Sequence, residues 1–89
     1  MSNKAEVNPG TNILVRYRSP SNVRGARWLV SVPGYKTRTY PRNYELNADE
    51  DAGQVAVEYA RKHGLFKWAR RYVVYTIKPG EWLVVPMEG

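Results

Sequence analysis

Residues 47–64 repeat their apolar side chains at helical spacing, whereas the apolar segments on either side alternate at period two and are cut by Pro and Gly. Such a chain has one helix with which to cover a sheet. Ala52, Val55, Ala56, Tyr59, Ala60 and His63 form the buried stripe, and Glu58, Arg61 and Lys62 fall on the wet side. Asn47 and Glu50 have capping-box spacing, and Asp49, Glu50 and Asp51 set negative charge beside the positive end of the helix dipole. At the far end Gly64 supplies a left-handed stop, with Leu65 placed for the hydrophobic contact that accompanies it and Arg61 and Lys62 suited to the dipole.

The flanking segments read as strands. Residues 12–18 put Ile13, Val15 and Tyr17 on one face and Arg16 and Arg18 on the other, with Leu14 joining the basic side. A turn cluster, Ser19-Pro20-Ser21-Asn22 with Gly25, separates them from residues 26–32, where Trp28, Val30 and Val32 oppose Arg27, Leu29 and Ser31. Pro33-Gly34 is short enough for a hairpin into a third strand over 35–40, stopped by Pro41, with Lys36 and Arg38 on one face and Tyr35, Thr37 and Thr39 on the other. Residues 72–78 and 81–85, joined at Pro79-Gly80, form a last hairpin, and 66–71 fits a loop, a helical turn or the start of that hairpin. The expected fold is therefore α+β, in the order β-β-β-α-β-β, with one helix packed on one face of an antiparallel sheet. It occupies residues 11–89 as one domain, behind a flexible segment over residues 1–10.

Composition narrows the chemistry. Eighty-nine residues suffice for one small core. The absence of cysteine excludes disulfides, thiol catalysis and sulfur-ligated metals, and one histidine, His63, is too little for a His-based metal centre. His63 reads as a packed or capping side chain. No apolar run is long enough for a signal peptide or a membrane span, so the expectation is a cytoplasmic chain without a membrane partner. Asp49, Glu50 and Asp51 diverge around a helix and are explained by its dipole without a metal. No nucleophile, base and oxyanion donor come together, no phosphate-binding Gly loop is present, and neither a cofactor nor an enzymatic activity is expected.

The charge is segregated along the chain. Residues 11–44 hold seven basic side chains and no acidic one, 45–58 hold five acidic and no basic, and 59–78 hold six basic, within a net charge of +6. With the helix on one side of the sheet, Arg16, Arg18, Arg27, Lys36 and Arg38 are expected together on the open face, where guanidinium forks suit phosphates or guanine edges. Arg24, at a loop tip beside Gly25, extends the patch. A second cluster, Lys67, Trp68, Arg70 and Arg71, interleaves cations with aromatics as a phosphate clamp or stacking platform, or else Phe66 and Trp68 close one end of the core, the favoured of the two. Tyr40, Tyr44, Tyr72, Tyr75 and Trp82 could serve the core or base stacking, and most are expected in the core. A basic face also keeps a sheet soluble and its edges apart, and an acidic protein would fit it too.

Three Arg- and Trp-bearing strands followed by an amphipathic helix, Arg16 through Gly64, resemble the DNA-binding domain of plant ethylene-responsive transcription factors and the arm-binding domain of tyrosine recombinases. That resemblance implies an open sheet face set into the major groove by Arg16, Arg18, Arg27, Lys36 and Arg38. The third strand, Tyr35-Lys36-Thr37-Arg38-Thr39-Tyr40, lacks the Trp-Leu-Gly-Thr signature of those families, and the C-terminal hairpin is an addition. The run from Arg16-Tyr17 through Pro20, Asn22, Arg24-Gly25 and Arg27-Trp28 is similar to small proteins of bacteria and their phages. The expected function is a nucleic-acid-binding module, DNA ahead of RNA. The alternative is a phage or mobile-element protein that docks on a host protein through its strand edge, the Trp82 hairpin or the acidic helix start. The last hairpin is also free to pair across a homodimer.

Overall fold

A computed structural model describes residues 12–23 and 25–88. The elements are β1 (Ile13–Arg18), β2 (Arg27–Ser31), β3 (Arg38–Pro41), α1 (Ala48–Lys62), β4 (Arg71–Lys78) and β5 (Glu81–Met87). The strands form one antiparallel sheet in the order β3-β2-β1-β5-β4. This is the α+β fold and element order expected, with β5 inserted between β1 and β4. Among the described residues no helix is long and apolar enough to cross a membrane.

The helix begins and ends where its local chemistry directs. Asn47 Oδ1 accepts from the Glu50 N–H at 2.8 Å, and Glu50 Oε1 accepts from the Asn47 N–H at 3.3 Å, which completes the capping box. Gly64 takes φ +66°, and the Leu65 N–H closes back on the Ala60 carbonyl at 2.8 Å. Between these caps Ala52, Val55, Ala56, Tyr59 and Ala60 lie buried against Ile13, Val15, Trp28, Val30 and Val84. Each Val or Ile buried there contributes about 1.5–3 kcal/mol of hydrophobic stabilisation. Trp28 is the hub, meeting the ring of Tyr17 edge-on at 5.7 Å and that of Trp82 at 5.1 Å.

The third strand departs from expectation. Residues 32–37 form a longer connection, so β3 starts only at Arg38 and runs through Pro41 instead of stopping before it. Proline is tolerated there because β3 is an edge strand. The register pairs Val30 with Arg38, Leu29 with Thr39 and Trp28 with Tyr40. Arg38 and Tyr40 therefore lie on the helix side and Thr39 on the open side, the reverse of the expected arrangement, because an odd offset exchanges the faces of a strand. Lys36 is outside any strand, and its carbonyl accepts from the Tyr59 hydroxyl at 2.6 Å. Residues 66–70 are a turn, in which the Ala69 N–H donates to the Phe66 carbonyl at 2.9 Å, and β4 begins at Arg71. The last strand also runs two residues longer than expected. Pro86 is accommodated in β5 past the last described β1–β5 pair, Ile13 with Val84.

Candidate functional site

The sheet pairing decides which basic side chains meet. On the face away from the helix, Arg18 stands directly opposite Arg27 across β1 and β2, and Arg16 follows two residues along opposite Leu29. On its other side Arg16 faces Glu81 of β5, which also pairs with Lys78 at 3.9 Å. Arg16, Arg18, Arg27 and Lys78 thus share one end of the open face. Arg27 reaches the Gly25 carbonyl with Nη1 at 3.4 Å and borders a shallow depression of about 270 Å³ formed with Gly25, Thr39 and Pro41. Arg24 lies outside the described residues, as does the expected flexible segment over residues 1–10.

Away from that end the same face is apolar. Leu14 pairs with Leu83, Tyr75 with Leu83 across the next strand, and Val73 with Val85. Tyr75 is half exposed. Arg71, opposite Met87, resumes the basic character at the far end, about 20 Å along β5 from Glu81. The expected five-residue basic patch is therefore split: Arg16, Arg18 and Arg27 are together, while Arg38 faces the helix and Lys36 lies in the connection before β3.

The other cluster assembles elsewhere. Arg61, from the last turn of α1, joins Lys67 and Arg70 around a cleft of about 440 Å³ whose walls include Phe66 and Tyr72. Phe66 packs against the core and meets Trp68 edge-on at 6.2 Å, but Trp68 is half exposed, so only the first of this pair closes the core as expected. Of the other aromatics, Trp82 is buried and Tyr40 and Tyr72 pack against the core, whereas Tyr44 is largely exposed.

The acidic helix start does more than answer the dipole. Asp51, 1% exposed, accepts from the Trp28 indole N–H at 2.8 Å, from Arg42 Nη1 at 2.8 Å and from the Asn43 N–H at 2.7 Å. Asp49 accepts from the Trp82 indole N–H at 2.7 Å. Arg42 in turn lies over the rings of Trp28 and Tyr44, at 5.7 and 4.9 Å from their centroids. Sequence reasoning missed both indole–carboxylate bonds. A buried indole requires an acceptor, and an acidic run at a helix N-terminus was the available one.

His63 caps the other end as expected. Its ring stacks on Tyr59 at 4.3 Å, and Nδ1 lies 3.0 Å from the Tyr59 carbonyl. Burial raises the phenol of Tyr59 above its ordinary value, as it does those of Tyr40 and Tyr72. The Tyr40 hydroxyl is buried without a hydrogen-bond partner among the described residues, and Tyr40 borders a cleft of about 400 Å³ with Gln54 and Glu58. Among the described residues no group of three His, Asp or Glu side chains forms a metal site. Comparison of this chain with protein-family models, with curated proteins and with solved structures finds no match.

Proposed function

We propose that this chain is a small non-enzymatic module that binds nucleic acid, DNA ahead of RNA, through the end of its open sheet face that presents Arg16, Arg18 and Arg27. The observation that supports this most is the direct cross-strand pairing of Arg18 with Arg27. Like charges set directly opposite one another on a sheet destabilise it. A phosphate between the two guanidinium groups turns that repulsion into two charge-assisted contacts. Arg16 on the same strand face offers a further contact, and the β1–β2 ribbon is narrow enough to enter the major groove. The helix backs the sheet and leaves this end open.

The test is fluorescence-anisotropy titration of labelled duplex DNA, single-stranded DNA and RNA of mixed sequence. The parent binds duplex DNA at low salt. Arg18→Glu with Arg27→Glu loses at least about tenfold in affinity, each charge-assisted bond being worth roughly 1.5–3 kcal/mol. Lys36→Glu, outside the face, loses less than about threefold. Equal losses from both variants would remove the face as the site.

A second reading has an observation of its own. Leu14, Leu83, Val73, Val85 and half-exposed Tyr75 make the middle of the same face apolar, and β4 is an edge strand. A host protein docked there, as expected of a phage or mobile-element factor, would stay bound at high salt and after nuclease treatment.

A further inference from the structure

We propose that the cleft between the end of α1 and the start of β4 binds a nucleoside phosphate, free or as the phosphorylated end of a strand. The site is separate from the Arg16, Arg18 and Arg27 face and goes beyond the reading of that face. At about 440 Å³ the cleft lies within the roughly 300–1,000 Å³ range of ligand sites and is larger than an inorganic anion needs. Three cations border it, and none of its lining residues is acidic.

The same three cations are unspent. Among the described residues the two ion pairs are Arg42 with Asp51 and Lys78 with Glu81, so Arg61, Lys67 and Arg70 have no carboxylate of their own. A helix C-terminus ordinarily repels an anion through its free carbonyls. Here the Ala60 and Arg61 carbonyls already accept from the Leu65 and Gly64 N–H groups, at 2.8 and 3.2 Å. An anion in the cleft therefore meets three cations, with these two carbonyls already engaged.

The walls supply the second half of the recognition. Phe66 and Tyr72 offer aromatic surface on which a flat base can lie while its phosphate meets the cations. Burial raises the Tyr72 phenol, and the Arg61 charge opposes that rise, as expected of a guanidinium near the hydroxyl. Phe66 is the one described residue other than glycine with positive φ, at 54°. A bulky side chain in that conformation is strained, and such strain gathers at binding sites. The turn is closed by the Ala69 N–H on the Phe66 carbonyl and tied to β5 by the Arg70 N–H on the Met87 carbonyl at 2.8 Å, which fixes the backbone that carries Lys67 and Arg70.

The experiment is calorimetric titration of the full chain with adenosine monophosphate, with adenosine, and with a short oligothymidylate bearing either a terminal phosphate or a terminal hydroxyl. Adenosine monophosphate is expected to saturate one site, and adenosine to bind at least about tenfold more weakly. Arg61→Glu with Arg70→Glu is expected to weaken the monophosphate at least about tenfold in the folded chain, and Lys36→Glu, outside both the cleft and the sheet face, to leave it unchanged. Should the first double variant unfold, Lys67→Gln at the exposed turn must still weaken binding about threefold or more. Competition by the phosphorylated oligonucleotide alone identifies a strand end as the ligand, and competition by neither oligonucleotide identifies the free nucleotide. No saturable binding at millimolar monophosphate, equal binding of adenosine, or indifference to the Arg61 and Arg70 changes would each overturn the assignment, whatever the sheet face does with DNA.

Discussion

The indole N–H of Trp28 donates to Asp51 at 2.8 Å, fastening the first turn of the helix to the centre of the sheet. The carboxylate is buried, so it is tolerable only because Arg42 and the Asn43 N–H reach the same oxygen. Through Arg42 the arrangement also orders the segment between β3 and the helix, where Nη1 donates to the Leu46 carbonyl at 3.2 Å.

Removing that carboxylate should therefore cost far more than a surface change. Asp51→Ala leaves the Arg42 guanidinium and the Trp28 indole without their acceptor, and is expected to lower stability by about 3–5 kcal/mol. Asp49→Ala, which releases the Trp82 indole at an exposed residue, should cost about 1 kcal/mol. Urea unfolding followed by tryptophan fluorescence measures both.

Tyr40→Phe works in the opposite direction. The hydroxyl it deletes is buried and has no partner among the described residues, so its desolvation is uncompensated. The variant is expected to gain about 1 kcal/mol, seen as a higher melting temperature. A loss of similar size would mean that the hydroxyl is hydrogen-bonded in solution.

Stability should also fall at alkaline pH. Burial, the largest cause in each case, raises the Tyr40, Tyr59 and Tyr72 phenols above their ordinary 10.0. The folded state then holds these protons more tightly than the unfolded chain, so their contribution is fully present below the unfolded value of 10.0 and is lost as pH rises through the folded values. Ultraviolet titration of the phenolates against circular dichroism should show these three tyrosines ionising with or after loss of structure. Their ionisation in an intact fold would contradict the burial assigned to them.

The fold was legible where its determinants are local. The Asn47 and Glu50 box, the Gly64 stop and the burial of Trp28, Val30 and, just past the end of β2, Val32 each need only a few neighbouring residues, and all appear in place. Arg38 departs from its expected face because Pro33-Gly34 suggests a tight hairpin while the chain takes six residues to turn, and register depends on that length. Nothing local marks the pairing of Trp28 with Asp51 or of Trp82 with Asp49, which are 23 and 33 residues apart. The candidate site was legible in part for the same reason. Strand alternation put Arg16, Arg18 and Arg27 on one face, but bringing Arg61 beside Lys67 and Arg70 depends on how the chain reverses after Gly64, with Phe66 at positive φ.

The central claim, an arginine-rich sheet end that neutralises phosphates, is tested most directly by the salt dependence of duplex DNA binding. Three phosphate contacts, from Arg16, Arg18 and Arg27, predict a slope of log affinity against log salt of about −2.7, and Arg18→Gln with Arg27→Gln should bring it to about −0.9. A slope unchanged by the double variant, or no binding at low salt, would contradict the account and leave the apolar middle of the face as the working surface.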